Sequence, residues 1–197
     1  MKSLVVVLLL LATPALAAPP RPSLTDKQQE ALTAGKVLVL SAGDESASMA
    51  TGIAEIAAPP EAIWAILTSV EHIRKSSKAV KELTAYEDTT VGADHRILKL
   101  DYMLKVGFTE IRYAVQRDIH ATAGWMEWKL DRSRPTDLKD TTGSYVTFPG
   151  NTPGTTLFVY RARIVTGMRI PAWLEEDLTE GQLKKYIGYV KKTAEGS

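Results

Sequence analysis

The chain has 197 residues, carries 24 basic and 23 acidic side chains, and contains no cysteine. This near-neutral balance excludes the strongly basic surface with which proteins bind the phosphates of nucleic acids. The lack of cysteine excludes disulfide bonds and thiolate metal sites, so stability must come from a hydrophobic core. A chain of this length suits one domain, which would bury about 70% of the surface that the unfolded chain exposes.

The first 17 residues have the features of a secretory signal peptide. Lys2 supplies a positive start, Leu4–Ala12 is a short apolar run, and Ala15-Leu16-Ala17 is a small-x-small cleavage signal. The apolar run is too short to span a bilayer. We therefore expect cleavage after Ala17 and export to the periplasm or outside the cell. Loss of Lys2 would leave 23 charges of each sign.

Residues 18–45 are predicted to form an N-terminal leader with one short helix. A proline-rich stretch comes first and is expected to be extended. Leu24–Ala34 is then predicted to be helical, because Thr25 and Gln28 have the spacing of a capping box. Gly35 ends this helix.

A strand and two short helices are predicted next. Lys36–Leu40 favours a short edge strand, and Ser41–Ser46 is typical of a polar turn. Ser48–Ala57 alternates in a way that predicts a strand, although the pattern does not say which side faces the core. Apolar residues at helical spacing predict a helix in Glu61–Val70, and Glu71–Ser77 is expected to form a second one.

The middle of the chain is predicted to form successive antiparallel strands, because the connections between them are short. His95–Val106 shows the clearest alternation, with leucines and a tyrosine on one face and charged residues on the other. Asp131–Asp140 is predicted to be a polar loop. The predicted strands are Val80–Tyr86, His95–Val106, Thr109–Ile119, Ala121–Leu130, Ser144–Phe148 and Thr155–Val165.

A long helix is predicted at the end of the chain, over Ala172–Thr193, with Pro171 just before it. The helix has two apolar stripes, which are separated by a five-residue step from Leu178 to Leu183. Gly181 lies at that step, so we expect a kink there.

Three short motifs resemble START-like domains of the SRPBCC superfamily, most closely the polyketide cyclase and coenzyme Q-binding branch. The first motif is Ala57-Ala58-Pro59-Pro60-Glu61-Ala62-Ile63-Trp64 with Thr68-Ser69-Val70-Glu71-His72, the second is Gly143-Ser144-Tyr145, and the third is Gly167-Met168-Arg169-Ile170-Pro171-Ala172-Trp173-Leu174. The family often has tryptophan where Tyr145 stands. The resemblance covers about Ser46 to Lys192.

The resemblance implies an α+β helix-grip fold over residues 46–193: a curved antiparallel sheet wrapped around a long C-terminal helix, with two short helices after the first strand. It also implies a hydrophobic cavity between the sheet and that helix. Large apolar side chains from different elements would line the cavity. The predicted ligand-binding residues are Leu98, Leu100, Tyr102, Leu104, Ile111, Tyr113, Val115, Met126, Trp128, Tyr160, Trp173, Leu174 and Leu178.

No catalytic residue, metal site or cofactor is predicted. His72, His95 and His120 have no second ligand at metal-site spacing. No phosphate loop, dinucleotide fingerprint or nucleophile elbow occurs. If the strand faces were opposite to those assigned, polar side chains on the strands would enter the cavity and make an enzyme of the cyclase or aromatase kind conceivable. These side chains are Asp101, Arg117, Glu127, Arg161 and Arg163.

Three functions stay open, and we favour a non-enzymatic carrier of a lipid, isoprenoid or quinone. A cyclase is the second reading, and a ligand-free interaction module is the third. Two basic clusters suggest transient contact with anionic membranes. One is Arg74, Lys75, Lys78 and Lys81, and the other is Lys184, Lys185, Lys191 and Lys192 with Tyr186 and Tyr189. We expect no nucleic-acid partner, and we favour a monomer.

Overall fold

The computed structural model describes residues 18–44, 47–166 and 181–196. The helices in these ranges are α1 (Asp26–Thr33), α2 (Pro60–Leu67), α3 (Val70–Lys75) and α4 (Gln182–Glu195). The strands are β1 (Leu38–Asp44), β2 (Ala47–Ile56), β3 (Val80–Val91), β4 (His95–Val106), β5 (Thr109–His120), β6 (Trp125–Leu130), β7 (Leu138–Pro149) and β8 (Thr156–Thr166).

The strands of this part of the chain form one curved antiparallel sheet in the order β1-β2-β8-β7-β6-β5-β4-β3. Successive strands from β3 to β8 are neighbours, which confirms the predicted meander. The hairpin of β1 and β2 joins its open edge, because Ala54 of β2 pairs with Phe158 of β8. The last strand, β8, therefore lies between β2 and β7.

Helix α4 lies on the inner face of the sheet and packs against β2 with almost no side chain between them. Gly52 occupies the contact point: a Cβ atom there would lie 2.2 Å from Ile187 Cδ1 and 2.3 Å from Leu183 Cδ2. Ala50 and Ala54 flank Gly52 on the same face and are fully buried. This row of small residues lets the helix approach the strand, as the helix-grip prediction requires.

The outer face of β2 and β8 is also covered, by helix α1. Leu32 of α1 packs with Ile53, Leu157 and Val159 in a separate small core. The predicted capping box is present, since Thr25 and Gln28 bond reciprocally at the start of α1. Because β2 is buried on both faces, its sequence could not show which side faces the core.

Several predicted boundaries differ from the structure. Ser41–Asp44 belongs to β1 and pairs with β2, so the predicted polar turn over Ser41–Ser46 is wrong for these residues. Strand β3 continues to Val91, well beyond Tyr86. Strand β7 already begins at Leu138, inside the predicted loop. These extensions are rich in polar residues, so apolar alternation gives a weak signal in them.

The terminal helix is described from Gln182 onward, and its buried residues are Leu183, Ile187, Val190 and Ala194. This is the stripe that the sequence predicts for the second half of the helix. The first half and the predicted kink fall partly outside the described residues. No helix in the described ranges combines the length and the apolar character needed to cross a bilayer.

Candidate functional site

A cavity of about 170 Å³ lies between the inner face of the sheet and helix α4. Strands β4 to β8 form its floor, the residues that follow α3 border one end, and the start of α4 closes it from above. The alternation of each strand sends every second side chain into this space. The aromatic members of the lining are Tyr102, Tyr113, Trp128, Tyr145, Tyr160 and Tyr186.

The aromatic rings of the lining contact one another in two groups, which together form an aromatic wall. Tyr102 and Tyr113 stack with their centroids 4.9 Å apart. Tyr145 meets Tyr160 edge to face at 4.7 Å and stacks on Tyr186 of α4 at 5.7 Å. Such pairs hold each other in defined orientations, so the wall is a preformed surface.

Trp128 takes its place in the wall because residue 143 has no side chain. A Cβ atom on Gly143 would lie 2.0 Å from Trp128 Cζ2 and 2.3 Å from the backbone oxygen of Arg161. The indole of Trp128 therefore lies directly over the backbone of β7. Gly143 opens the Gly143-Ser144-Tyr145 motif, and in this structure the motif supplies both the space for Trp128 and the ring of Tyr145.

One cation stands among these rings. Arg117 of β5 is 5% exposed. Its Nη2 donates a hydrogen bond to Tyr102 Oη at 2.6 Å, and Nη1 donates to the Leu67 carbonyl at 3.4 Å. Its Nε has no acceptor. The guanidinium also lies 6.0 Å from the ring centre of Tyr145, within cation–π range.

The ionisation states in the cavity follow from burial. Burial is the main cause that raises the pKa of Tyr113, Tyr145 and Tyr160 well above the ordinary value. These phenols are therefore neutral at physiological pH. Burial works against the charged form of Arg117, but the surrounding phenol oxygens outweigh it and raise its pKa. Arg117 is thus a permanent cation.

The polar groups of the described lining are few. Apart from the phenols and the Trp128 indole they belong to Ser76, Ser77, Arg117, Thr141 and Gln182, and the described lining contains no Asp, Glu, His or Lys. The described part of the site therefore offers apolar contact, hydrogen-bond donors and one positive charge. It offers no carboxylate or imidazole for general acid–base chemistry.

The structure brings together part of the predicted ligand-binding set. Tyr102, Leu104, Tyr113, Val115, Trp128 and Tyr160 line the cavity. Leu98, Leu100 and Met126 do not; they are fully buried in the main core. Ile111 packs with Leu130 and Leu138 in a third cluster at the end of the sheet. Trp173, Leu174 and Leu178 lie outside the described residues.

Most of the polar residues considered as alternatives face away from the cavity. Asp101 pairs with Arg134 at 3.3 Å, and Arg163 pairs with Asp140 at 2.9 Å. Glu127 is exposed, and Arg161 donates to the Pro20 carbonyl at 3.3 Å. The assigned strand faces were right, so these four side chains do not enter the cavity.

Arg117 is the exception, and sequence reasoning missed its role. It lies two residues after Val115 and four after Tyr113, and therefore on the inward face of β5. The alternation itself contained this signal. The prediction treated the charge as a mark of the outer face instead. The prediction also omitted Tyr145 of β7, the residues after α3, and Tyr186, because in the terminal helix it chose residues of the first half only.

The histidines hold neighbouring side chains in place. His72 Nδ1 lies 2.8 Å from Tyr189 Oη, which joins α3 to α4. His95 Nε2 lies 3.1 Å from Asp118 Oδ1, and its ring stacks on His120 at 4.6 Å. Across the described ranges, no group of three or more His, Asp or Glu side chains is placed to hold a metal ion.

No family model matches the chain, and no curated protein matches it in sequence. Solved structures do match its fold. A START superfamily protein from Mycobacterium smegmatis is 13% identical, with a TM-score of 0.59 over 75% of this chain and 97% of that chain. A STAR-related lipid transfer protein from Xanthomonas axonopodis is 11% identical, with a TM-score of 0.59 over 79% of this chain and 92% of that chain.

The Zhui aromatase/cyclase from a Streptomyces species is 14% identical, with a TM-score of 0.54 over 76% of this chain and 92% of that chain. Identities this low show the fold alone. They agree with the architecture, in which one curved antiparallel sheet carries a C-terminal helix on its inner face. The chain therefore has the START-like helix-grip fold.

Proposed function

We propose that this protein binds a hydrophobic small molecule, such as a lipid, an isoprenoid or a quinone, in the cavity beneath α4. The main support for this proposal is the aromatic wall around that cavity. Moving apolar ligand surface from water onto this wall would contribute roughly 25 cal/mol per Å², before the cost of ordering the ligand. Solved structures of the same fold include a lipid transfer protein and an aromatase/cyclase.

The volume of the cavity limits the part of the ligand that it encloses. At about 170 Å³ it is smaller than the ~300 Å³ or more of a usual ligand pocket. An apolar cavity of roughly 150 Å³ accepts a benzene ring. The enclosed part is therefore one ring or a short chain. A longer tail would leave past Ser76, Ser77 and Ala79, which line one end of the cavity and are partly exposed.

Delivery between membranes would explain an exported carrier, because such a ligand is poorly soluble in water. The support for export is the signal-like sequence of Met1–Ala17. N-terminal sequencing of the protein recovered from the periplasm or medium tests this part. A first residue of Ala18 is expected, and retention inside the cell with Met1 intact would contradict it.

The support for membrane contact is the turn between β4 and β5. Phe108 at its tip is fully exposed, and Gly107 beside it has a φ of +61°, which makes the turn tight. The Lys105 N–H donates to the Ala79 carbonyl at 2.8 Å, so the hairpin end lies beside the residues that border the cavity. Lys78, Lys81 and Lys105 are exposed around it. An aromatic ring surrounded by lysines suits an anionic membrane surface.

Cosedimentation with vesicles tests this contact. Phe108→Ser should weaken binding to vesicles of phosphatidylglycerol and phosphatidylcholine several-fold. Val91→Ser is the matched control, because Val91 is also an exposed apolar residue but lies at the other hairpin end of β4. Equal vesicle binding by both variants and the unchanged protein would contradict a docking role for Phe108.

Native mass spectrometry of the purified protein, followed by organic extraction, tests the function itself. A co-purifying hydrophobic molecule, released on unfolding, is the expected result. Filling the cavity with Ala162→Leu should displace it, since Ala162 lines the cavity. An empty protein that also binds no added hydrophobic probe would favour an interaction module. Turnover of an added substrate that is lost in Tyr102→Phe would favour a cyclase.

A further inference from the structure

We infer that the ligand carries a single negatively charged head group, a carboxylate, and that Arg117 and Tyr102 bind it inside the cavity. This inference rests on the proposed function and narrows it, because a generic hydrophobic pocket would accept neutral and charged ligands without distinction. It starts from the surroundings of one buried side chain. A guanidinium taken out of water is costly unless an acceptor or counter-ion meets it.

The hydrogen bonds of Arg117 are incomplete. A guanidinium has five N–H groups in a planar fork. In Arg117 one bonds to Tyr102 Oη and one makes a long bond to the Leu67 carbonyl. Nε has no acceptor, and each Nη keeps a second hydrogen. Adjacent N–H groups left free in this way match the two oxygens of a carboxylate.

No charge in the described lining balances Arg117. The lining residues of β4 to β8 and α4 include no Asp or Glu. The acidic side chains of the neighbouring strands face outward, where Asp101 and Asp140 are paired with other arginines. The described part of the cavity thus has one uncompensated positive charge, which a monoanion neutralises and a dianion would exceed. This comparison favours a carboxylate over a phosphate monoester.

Tyr102 provides a second donor beside the guanidinium. Its oxygen accepts the bond from Arg117 at 2.6 Å, which leaves its own hydrogen available. The phenol stays neutral because burial raises its pKa. Its ring stacks on Tyr113, so the donor is held in the wall. The head group would therefore lie at Arg117 and Tyr102, with the apolar part along Trp128, Tyr160 and Tyr186.

A displacement titration tests the inference with three probes of equal chain length: octanoate, 1-octanol and octyl phosphate. Each would displace the uncharged fluorophore N-phenyl-1-naphthylamine from the purified protein at pH 7.5. The unchanged protein should bind octanoate at least about tenfold more tightly than 1-octanol, since a hydrogen bond to a charged group commonly contributes that much. Octyl phosphate should bind more weakly than octanoate.

Two variants and one control assign the effect to Arg117. Arg117→Gln should weaken octanoate binding about 10- to 100-fold and change 1-octanol binding less than about twofold. Arg117→Lys, which keeps the charge without the fork, should lose part of the octanoate affinity. Arg112→Gln should change neither, because Arg112 is exposed on the opposite face of the same strand.

The outcomes separate this inference from the proposed function. If the fluorophore and all three probes fail to bind the unchanged protein, both are wrong. The carboxylate inference is wrong if octanoate and 1-octanol bind with equal affinity. It is also wrong if Arg117→Gln lowers the affinity for both probes equally. In either case the cavity binds apolar ligands without recognising a carboxylate. Tighter binding of octyl phosphate than octanoate would also overturn it and assign the site to a phosphate ester.

Discussion

Arginine side chains on the two faces of the sheet have different surroundings. On the outer face, Arg163 pairs with Asp140 at 2.9 Å and Arg134 pairs with Asp101 at 3.3 Å. These pairs are partly exposed, so each contributes little to stability. On the inner face Arg117 is buried and has no carboxylate partner among the described residues. These two outer arginines are neutralised within the fold, whereas the inner Arg117 has no carboxylate beside it in the described lining.

The outer ion pairs are part of the interactions within the fold, whereas the position of Arg117 in the cavity is consistent with a role in binding. The sheet would keep its core if Arg117 were apolar, because aromatic and aliphatic side chains surround it. A buried polar group that stability does not require is a reason to look for function. The changes below test the two faces separately.

The largest effect is expected where the inner wall meets the backbone. Gly143→Ala would place a methyl group 2.3 Å from the Arg161 carbonyl oxygen, which cannot move without disturbing β8. We expect a loss of about 3 kcal/mol of unfolding free energy and a changed Trp128 environment, measured by urea unfolding and near-UV circular dichroism. Gly188→Ala in α4 is the control: nothing lies within 4 Å of its new Cβ, so stability should rise by about 0.5–1 kcal/mol.

A smaller loss is expected for Tyr86→Phe in the polar cluster beside Arg134. Tyr86 donates to Asp131 Oδ2 at 2.7 Å, and removing that bond should cost about 1.5 kcal/mol at pH 7. Hydrogen bonds from Ser133 and then Tyr86 lower the pKa of Asp131 to about 2. Because this pKa is depressed in the folded state, the stability it provides is complete above pH ~4 and is lost as the pH falls toward 2.

Urea unfolding of Tyr86→Phe at several pH values checks this assignment. The difference between the variant and the unchanged protein should be largest at pH 7 and should shrink between pH 4 and pH 2. A difference that stays constant over this range would mean that the Tyr86 hydroxyl acts through something other than the Asp131 carboxylate.

On the inner face, Arg117→Met should raise the unfolding free energy of the ligand-free protein by about 1 kcal/mol, because it replaces an uncompensated buried charge by an apolar side chain. Arg112→Met on the exposed face of β5 should change it by less than about 0.5 kcal/mol. Thermal and urea unfolding measure both. A large loss in Arg117→Met would show that the two hydrogen bonds of Arg117 hold the fold together.

The smallest effect on stability is expected for Phe108→Ser at the hairpin tip. Phe108 is fully exposed, so its removal should change the unfolding free energy by less than about 0.5 kcal/mol. The same variant is expected to bind vesicles several-fold more weakly, which would separate membrane binding from stability. A loss above about 1 kcal/mol would instead mean that Phe108 packs against the protein in solution.

The strands were predicted correctly where apolar and polar residues alternate along the sequence, and were missed where they do not. His95–Val106 was predicted with the observed bounds of β4, because apolar and charged residues alternate through its middle, from Leu98 to Tyr102. Leu138 was placed in a loop although it starts β7, since the polar residues around it hide the strand. Ser41–Asp44, with only small and polar residues, contained no strand signal at all.

The site was harder to predict than the fold. Trp128 and Tyr160 were placed in the lining from alternation and from the resemblance, and the cavity does include them. Arg117 was set aside because a charge suggests the solvated face, although its position in β5 points inward. Leu98 and Met126 face inward as predicted, but they lie in the core and do not border the cavity. Which inward side chains border empty space depends on packing across several elements, and no single segment encodes that.

The contact between α4 and β2 also determines how the cavity can change size. At its far end the helix is tied to the sheet, since Lys191 Nζ donates to the Glu55 carbonyl at 2.5 Å and Glu195 Oε1 accepts from the Ala57 N–H at 3.0 Å. Gly52 leaves no gap under Leu183 and Ile187. A ligand longer than the present cavity would therefore be accommodated at the Gln182 end, where the Ser77 hydroxyl donates a hydrogen bond to Gln182 Oε1 at 3.1 Å beside the partly exposed residues after α3.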